Sequence, residues 1–211
     1  GAGAADLGLL ALGPADGVPA AFVARGNEPG WRLDVTAGAL SLTTEDGTRL
    51  SLPRPAGHAG DLQAGGLTVR AIPDLCRDTM TGMPYPLSVR VTLGARDLAG
   101  CGGDPAALLD GPWQMRRTGD AALPPGLVLT FAGGRVTGSA GCNRLTGPLQ
   151  IGAEGIALGP LAVTRMACGE EAMATERQVL AALYRIDGFD IDGAGRLVLT
   201  ADGRAVLLAE R

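Results

Sequence analysis

Glycine placement limits what this chain can fold into more than any other feature. Of its 211 residues, 34 are glycine, about one in six against the usual ~7%. They follow no G-X-Y period, which excludes a collagen helix. They recur instead at turn-like spacings, often as Asp-Gly or Gly-Gly, between short apolar stretches. Glycine reaches the backbone angles of tight turns at no steric cost, so this spacing predicts many short strands joined by tight turns. With 46% hydrophobic and 19% charged residues, the chain can bury a core and is not disordered. Its length suits one large domain or two small ones.

Alternating or continuous apolar runs mark the expected strands. In the first half they are Ala21–Arg25, Trp31–Val35, Leu40–Thr43, Arg49–Leu52, Leu67–Ile72 and Leu87–Leu93. Glu45-Asp46-Gly47-Thr48 reads as a hairpin turn, and Pro84 and Pro86 keep the stretch after Cys76 extended. A Gly/Pro/Asp knot, Gly100–Trp113, interrupts the patterning and reads as a domain junction. Beyond it follow Trp113–Arg117, Leu127–Phe131, Arg135–Ser139, Ile156–Leu161, Phe189–Ile191, Leu197–Thr200 and Ala205–Leu208. One segment differs: Glu170–Ile186 holds strong helix formers, with Met173, Leu180, Leu183 and Tyr184 close to one face. Acidic residues at its start and Gly188 beyond its end bound it as a helix. Its apolar stripe needs a curved sheet to pack on. The resulting division is an N-terminal linker over 1–19, a β domain over 20–104 and a second domain over 105–211. The expected class is α+β, mostly antiparallel β, the second domain a curved sheet or partial barrel with one packed helix.

All 18 basic residues are arginine. Without lysine there is no Schiff base, no complete phosphate-binding GxxxxGK[ST] loop and no Ser-Lys dyad. Genomic base composition accounts for this equally well. A net charge of −4 and a pI near 5.0 argue against nucleic acid or an anionic membrane surface as partner. No apolar run reaches the length of a membrane-spanning helix. The segment Gly1–Pro19 is small, Gly/Ala/Pro-rich and nearly uncharged. It reads as the remainder of a precursor that lost a signal or a lipidated cysteine, or equally as a boundary within a cytosolic protein. The one histidine, His58, lies in a Gly/Pro loop, and no GxSxG occurs, so no catalytic triad is marked.

The four cysteines, Cys76, Cys101, Cys142 and Cys168, form no CxxC, so no metal site is expected, and no cofactor. An even count in an exported-looking chain reads as two disulfides, with three possible pairings. The neighbouring pairs, Cys76–Cys101 and Cys142–Cys168, are preferred; four buried free thiols are the alternative.

Two motifs stand out in the second half. Val136–Gly147 (VTGSAGCNRLTG) combines Gly141 with Asn143, both tolerant of left-handed backbone, and reads as a disulfide-anchored corner between strands. Leu161–Cys168 (LAVTRMAC) runs into the helix, with Thr164 at a strand end, Met166 a core candidate and Arg165 poised to pair with Glu170 or Glu171. Taken in order, Trp113, Leu127–Phe131, GSAGCNRLTG, Leu158–Leu161, TRMAC, Glu176 and Leu197–Thr200 resemble the META/HslJ family, from about Asp110 to Arg211. Leu145 stands where that family usually has an aromatic. The resemblance implies a curved antiparallel sheet holding one helix, a bacterial envelope location with heat-shock association, and no established enzymatic activity.

The first half carries Ala24–Trp31 (ARGNEPGW), then Cys76–Gly82 (CRDTMTG), Tyr85-Pro86 and Gly100-Cys101. It is similar to the GNEPxW-type domain of uncharacterised bacterial envelope lipoproteins. Physically, Asn27, Glu28, Arg77 and Asp78 are polar residues clustered at turns near Trp31 and Tyr85, with Met80 in the same motif. The structural expectation is a turn hydrogen-bonded through Asn27 and stapled by Trp31. Glu28 with Asp78 would serve acid/base chemistry only if the fold unites them. The expected function is therefore a non-enzymatic envelope protein, a stress-related accessory or a lipid- or small-ligand-binding module. Its partner would be an apolar small ligand or an envelope protein, with a lipid anchor upstream. A pilot-like assembly factor and a carboxylate-based enzyme are the alternatives. An apolar cavity under the helix would favour a ligand; a solid core beside an exposed apolar patch would favour a protein partner.

Overall fold

Period-two burial is written directly into the strands. Trp31, Leu33 and Val35 face inward from one strand, Leu40 and Leu42 from the next, while Arg32, Asp34 and Ser41 face outward between them. The computed structural model describes residues 18–56 and 61–211. Residues 1–17 of the expected linker, and His58, lie outside the described residues. The chain divides into two compact units between Leu108 and Leu109.

The first unit is an eight-stranded antiparallel sheet: β1 (Phe22–Asn27), β2 (Gly30–Val35), β3 (Ala39–Thr44), β4 (Arg49–Pro53), β5 (Leu62–Ala64), β6 (Leu67–Arg77), β7 (Pro84–Leu93) and β8 (Arg96–Gly102). Its order, β4-β3-β2-β1-β8-β7-β6-β5, is an up-and-down ring sealed between β1 and β8 and parted between β4 and β5. The parted edges still approach: Leu52 of β4 fills the place of a Cβ on Gly65, just beyond β5. Inside lies one apolar core, with Leu33, Leu42, Leu67, Val69 and Val91 fully buried.

After the short helix α1 (Ala106–Leu109), the second unit runs through β9 (Gly111–Thr118), β10 (Ala121–Ala122), β11 (Val128–Ala132), β12 (Arg135–Ser139), β13 (Arg144–Ile151), β14 (Ile156–Leu158) and β15 (Ala162–Val163). Then come α2 (Glu170–Leu183), β16 (Gly188–Ile191), β17 (Leu197–Ala201) and β18 (Arg204–Glu210). The main order is β14-β13-β12-β11-β9-β18-β17-β16, with β10 on β9 and β15 on β13. Its two ends return to each other, since Ile156 N–H donates to the carbonyl of Asp187 at 2.9 Å. The unit is thus a nearly closed antiparallel barrel with α2 packed against it, as the sequence predicts. Side chains fill its interior: Trp113, Met115, Leu129, Phe131, Val179 and Leu183 are all buried. The Trp113 indole donates to Leu109 O at 2.7 Å, and the Arg211 guanidinium lies 4.3 Å from its ring centre.

Three expectations need correction. The knot at Gly100–Trp113 does not interrupt the strands throughout: β8 runs to Gly102 and β9 starts at Gly111. Residues Arg144–Gly147, read as part of a corner, begin the eight-residue β13, and the turn itself is only Ala140–Asn143. The buried face of α2 is Glu176, Val179, Ala182 and Leu183, so Tyr184, expected on the apolar stripe, is 60% exposed.

Candidate functional site

Trp31 needs two glycines. It pairs with Gly26 across the β1–β2 hairpin, and its indole N–H donates to Ala99 O on β8 at 3.2 Å. A Cβ on Gly26 would sit 2.1 Å from the indole nitrogen. One on Gly100 would sit 2.0 Å from Arg25 O and 2.8 Å from the indole. The ring therefore lies on bare backbone and holds β1, β2 and β8 together, which fixes the turn Asn27–Gly30.

Over the outer face of this sheet, β6 breaks register between Pro73 and Cys76 and carries a turn with it. The Cys76–Cys101 disulfide, with Cα atoms 5.4 Å apart, ties that turn to β8. Within the turn one Asp78 oxygen accepts from the N–H groups of Met80 (2.9 Å) and Thr81 (2.8 Å) and from the Thr81 hydroxyl (3.1 Å). The other accepts from Asn27 Nδ2 at 3.0 Å, while the same nitrogen reaches Thr79 Oγ1 at 2.9 Å. Partial burial works to raise the Asp78 carboxyl. The donors on Thr81, Asn27 and Met80 outweigh it and hold the group below the usual carboxylate range. Burial, then the Asp78 charge, pushes the nearby Tyr85 phenol up, so it stays neutral.

Sheet face and turn together enclose an open groove of about 850 Å³, and Asn27, Glu28, Asp78 and Met80 all line it. Glu28 is exposed and shares no hydrogen bond with Asp78 among the described residues. With Asp78 held ionised in its turn, the two do not form an acid/base pair. Arg77, placed in this cluster by sequence, lines the groove too, whereas sequence reasoning missed Arg25, Arg70 and Arg90, together with Ile72. The signal was present, because Arg70 and Ile72 on β6, and Ser88 and Arg90 on β7, occupy the outward positions of alternating strands. Asp61 pairs with Arg70 at 2.7 Å and Asp97 with Arg90. Two large apolar side chains stand open at the groove, Ile72 at 50% and Met80 at 79% exposure.

The residues singled out in the second half form a buried polar junction. The Asn143 side-chain oxygen accepts from Met166 N–H (2.6 Å) and from the Thr164 hydroxyl (2.9 Å). Its amide nitrogen donates to Glu176 Oε1 (3.0 Å) and Met166 O (3.3 Å), and its backbone N–H to Glu176 Oε2 (2.6 Å). Asn143 and Glu176 are both buried, so every one of these bonds replaces water. Gly141 has φ +144°, and a Cβ there would meet Ala172 O at 2.7 Å, so the turn lies directly on α2. The Cys142–Cys168 disulfide closes the junction from outside, with Cα atoms 5.8 Å apart. Met166, a core candidate by sequence, is 54% exposed, and only its backbone is used. Arg165 is exposed and has no ion pair with Glu170 or Glu171 among the described residues. This cluster is a structural staple joining the β12–β13 turn, the segment before α2, and α2 itself. No group of three or more His, Cys, Asp or Glu side chains suited to a metal occurs among the described residues, and no helix among them is long and apolar enough to cross a membrane.

Residues 106–211 match the META domain family. An NMR structure of a protein from Burkholderia xenovorans is similar to the chain at 27% identity, covering 50% of this chain and 85% of that one, with a TM-score of 0.42. No curated protein matches the chain.

Proposed function

Since the chain belongs to the META domain family through residues 106–211, we propose that it is a non-enzymatic, stress-related accessory protein of the bacterial cell envelope that recognises a partner through the groove of its first unit. META domains are non-catalytic. Two disulfides suit an oxidising compartment such as the periplasm, and the first unit reads as a GNEPxW-type module, Trp31 being the residue around which its glycines are placed.

One observation carries the reading. The turn residues Asn27, Glu28, Asp78 and Met80 converge on one groove whose rim leaves Ile72 and Met80 open to solvent. Large apolar side chains at the mouth of a polar groove are the ordinary mark of a recognition surface. The large apolar side chains buried in the second unit, Trp113, Phe131, Val179 and Leu183 among them, support surface recognition, of the pilot-like kind, over a lipid held beneath α2.

Native mass spectrometry of protein purified from its own envelope tests this. The wild-type chain is expected to carry a stoichiometric protein partner or apolar ligand that the Ile72→Asp/Met80→Asp variant lacks, with the variant's near-ultraviolet circular dichroism unchanged. A chain that emerges alone, or a companion indifferent to both substitutions, overturns the reading.

A further inference from the structure

The second unit carries its own groove, about 760 Å³, on the outer face of β11, β12 and β13. Leu129, Phe131 and Val136 point into the barrel, so the residues alternating with them point out. Among the described residues, Arg144 is the groove's only charged one, and no Asp or Glu lines it. Some arginines of this acidic chain, Arg32, Arg70, Arg96 and Arg196 among them, are held by aspartates, while others, such as Arg165, are exposed. Arg144 has no ion pair among the described residues.

Hydroxyls surround it. Thr130 stands opposite Thr137, and Ser139 opposite Arg144, on neighbouring strands. Two hydroxyls nearby are already engaged: Thr146 accepts from Arg135 at 3.1 Å, and Thr164 donates to Asn143. Those of Thr130, Thr137 and Ser139 have no protein partner among the described residues, though all three line the groove. An uncompensated guanidinium among free hydroxyls is chemistry for an oxyanion, because the guanidinium supplies charge and two parallel donors and the hydroxyls supply the rest. Among the described residues no aromatic lines the groove, so they offer a sugar ring nothing to stack on. Val128, Val163 and Met166 give a small apolar body a wall.

We propose that this groove is a binding site for a phosphate ester, with Arg144 holding the phosphoryl group and Thr130, Thr137 and Ser139 donating to its remaining oxygens. The site belongs to the second unit alone and does not depend on the partner groove of the first. Its attraction is local, and a net charge of −4 means that it acts against the field of the whole chain.

The experiment is an amide-resolved NMR titration of the full chain with inorganic phosphate, against chloride at equal ionic strength. Saturable shifts are expected around Thr130, Thr137, Ser139 and Arg144. Arg144→Gln should weaken binding about tenfold and Thr137→Val severalfold, with amides away from the groove unmoved in both. Sedimentation with phosphatidylglycerol and with phosphatidylcholine vesicles separates the sources. Arg144-dependent sedimentation with the first alone identifies a lipid headgroup; saturable shifts without it identify a soluble phosphate ester. Absence of saturation, shifts scattered over arginines of both units, or shifts indifferent to Arg144→Gln overturn the proposal.

Discussion

Asn143 joins three stretches of chain with one side chain, and its burial makes every lost bond costly. Truncation in Asn143→Ala leaves the Met166 N–H and Thr164 hydroxyl without their acceptor and removes a donor from the buried Glu176 carboxylate. The expected loss is about 3 kcal/mol, read as a lowered urea midpoint. Asp78 makes a different, pH-dependent contribution. Its folded pKa lies below the ordinary 3.8, so its stabilisation is complete above about that pH. It is lost as pH falls through the lower folded value. In Asp78→Asn an amide nitrogen must face either Asn27 or the N–H groups of Met80 and Thr81. Urea titrations over a pH series should show a loss of about 1 kcal/mol at neutral pH, narrowing as the wild type loses the same contribution in acid.

At the scale of elements, glycine plays two roles that a sequence writes with one letter. Where it closes hairpins, as at Gly47 and Gly134, both with positive φ, turn reasoning found the strands on either side. Where it lets a neighbouring backbone or side chain approach, the same residue misled. Gly100 and Gly102 in β8 lie against Arg25 O and Val89, and Gly147 in β13 lies against Leu161; these glycines read as breakers, yet they are strand residues. Helix α2 shows the complementary failure. Its position was legible from composition, but its rotation was not, because Glu176 occupies the middle of the buried face and only its tertiary partner Asn143 makes that tolerable. The groove residues were legible singly, as turn chemistry and outward alternation. Their convergence depends on the β6 register shift and the Cys76–Cys101 bond, which no local pattern encodes. The two roles of glycine predict opposite outcomes for one substitution. Gly100→Ala drives a Cβ into a carbonyl that cannot move aside and should cost about 3 kcal/mol or more. Gly38→Ala meets nothing within 4 Å and should leave stability unchanged or raise it by about 0.5 kcal/mol. Thermal unfolding of the two variants distinguishes the roles.

For the whole molecule, each unit owns a core, a disulfide and a single buried tryptophan: Trp31 with Cys76–Cys101 in the first, Trp113 with Cys142–Cys168 in the second. A chain so divided should unfold as two cooperative bodies, and its two tryptophans report on them separately. In Trp31→Phe all indole fluorescence comes from the second unit, and in Trp113→Phe all of it comes from the first; damage done by either substitution falls on the unit that is not being observed. Each disulfide closes a loop of about 25 residues, for which chain entropy predicts about 3.5 kcal/mol. Replacing Cys142 and Cys168 by serine should therefore shift the Trp113 urea curve by that amount and leave the Trp31 curve in place, and replacing Cys76 and Cys101 should do the reverse. A disulfide deletion that moves both curves together would mean that the two cores fold as one cooperative body, and the independence of the units would fail.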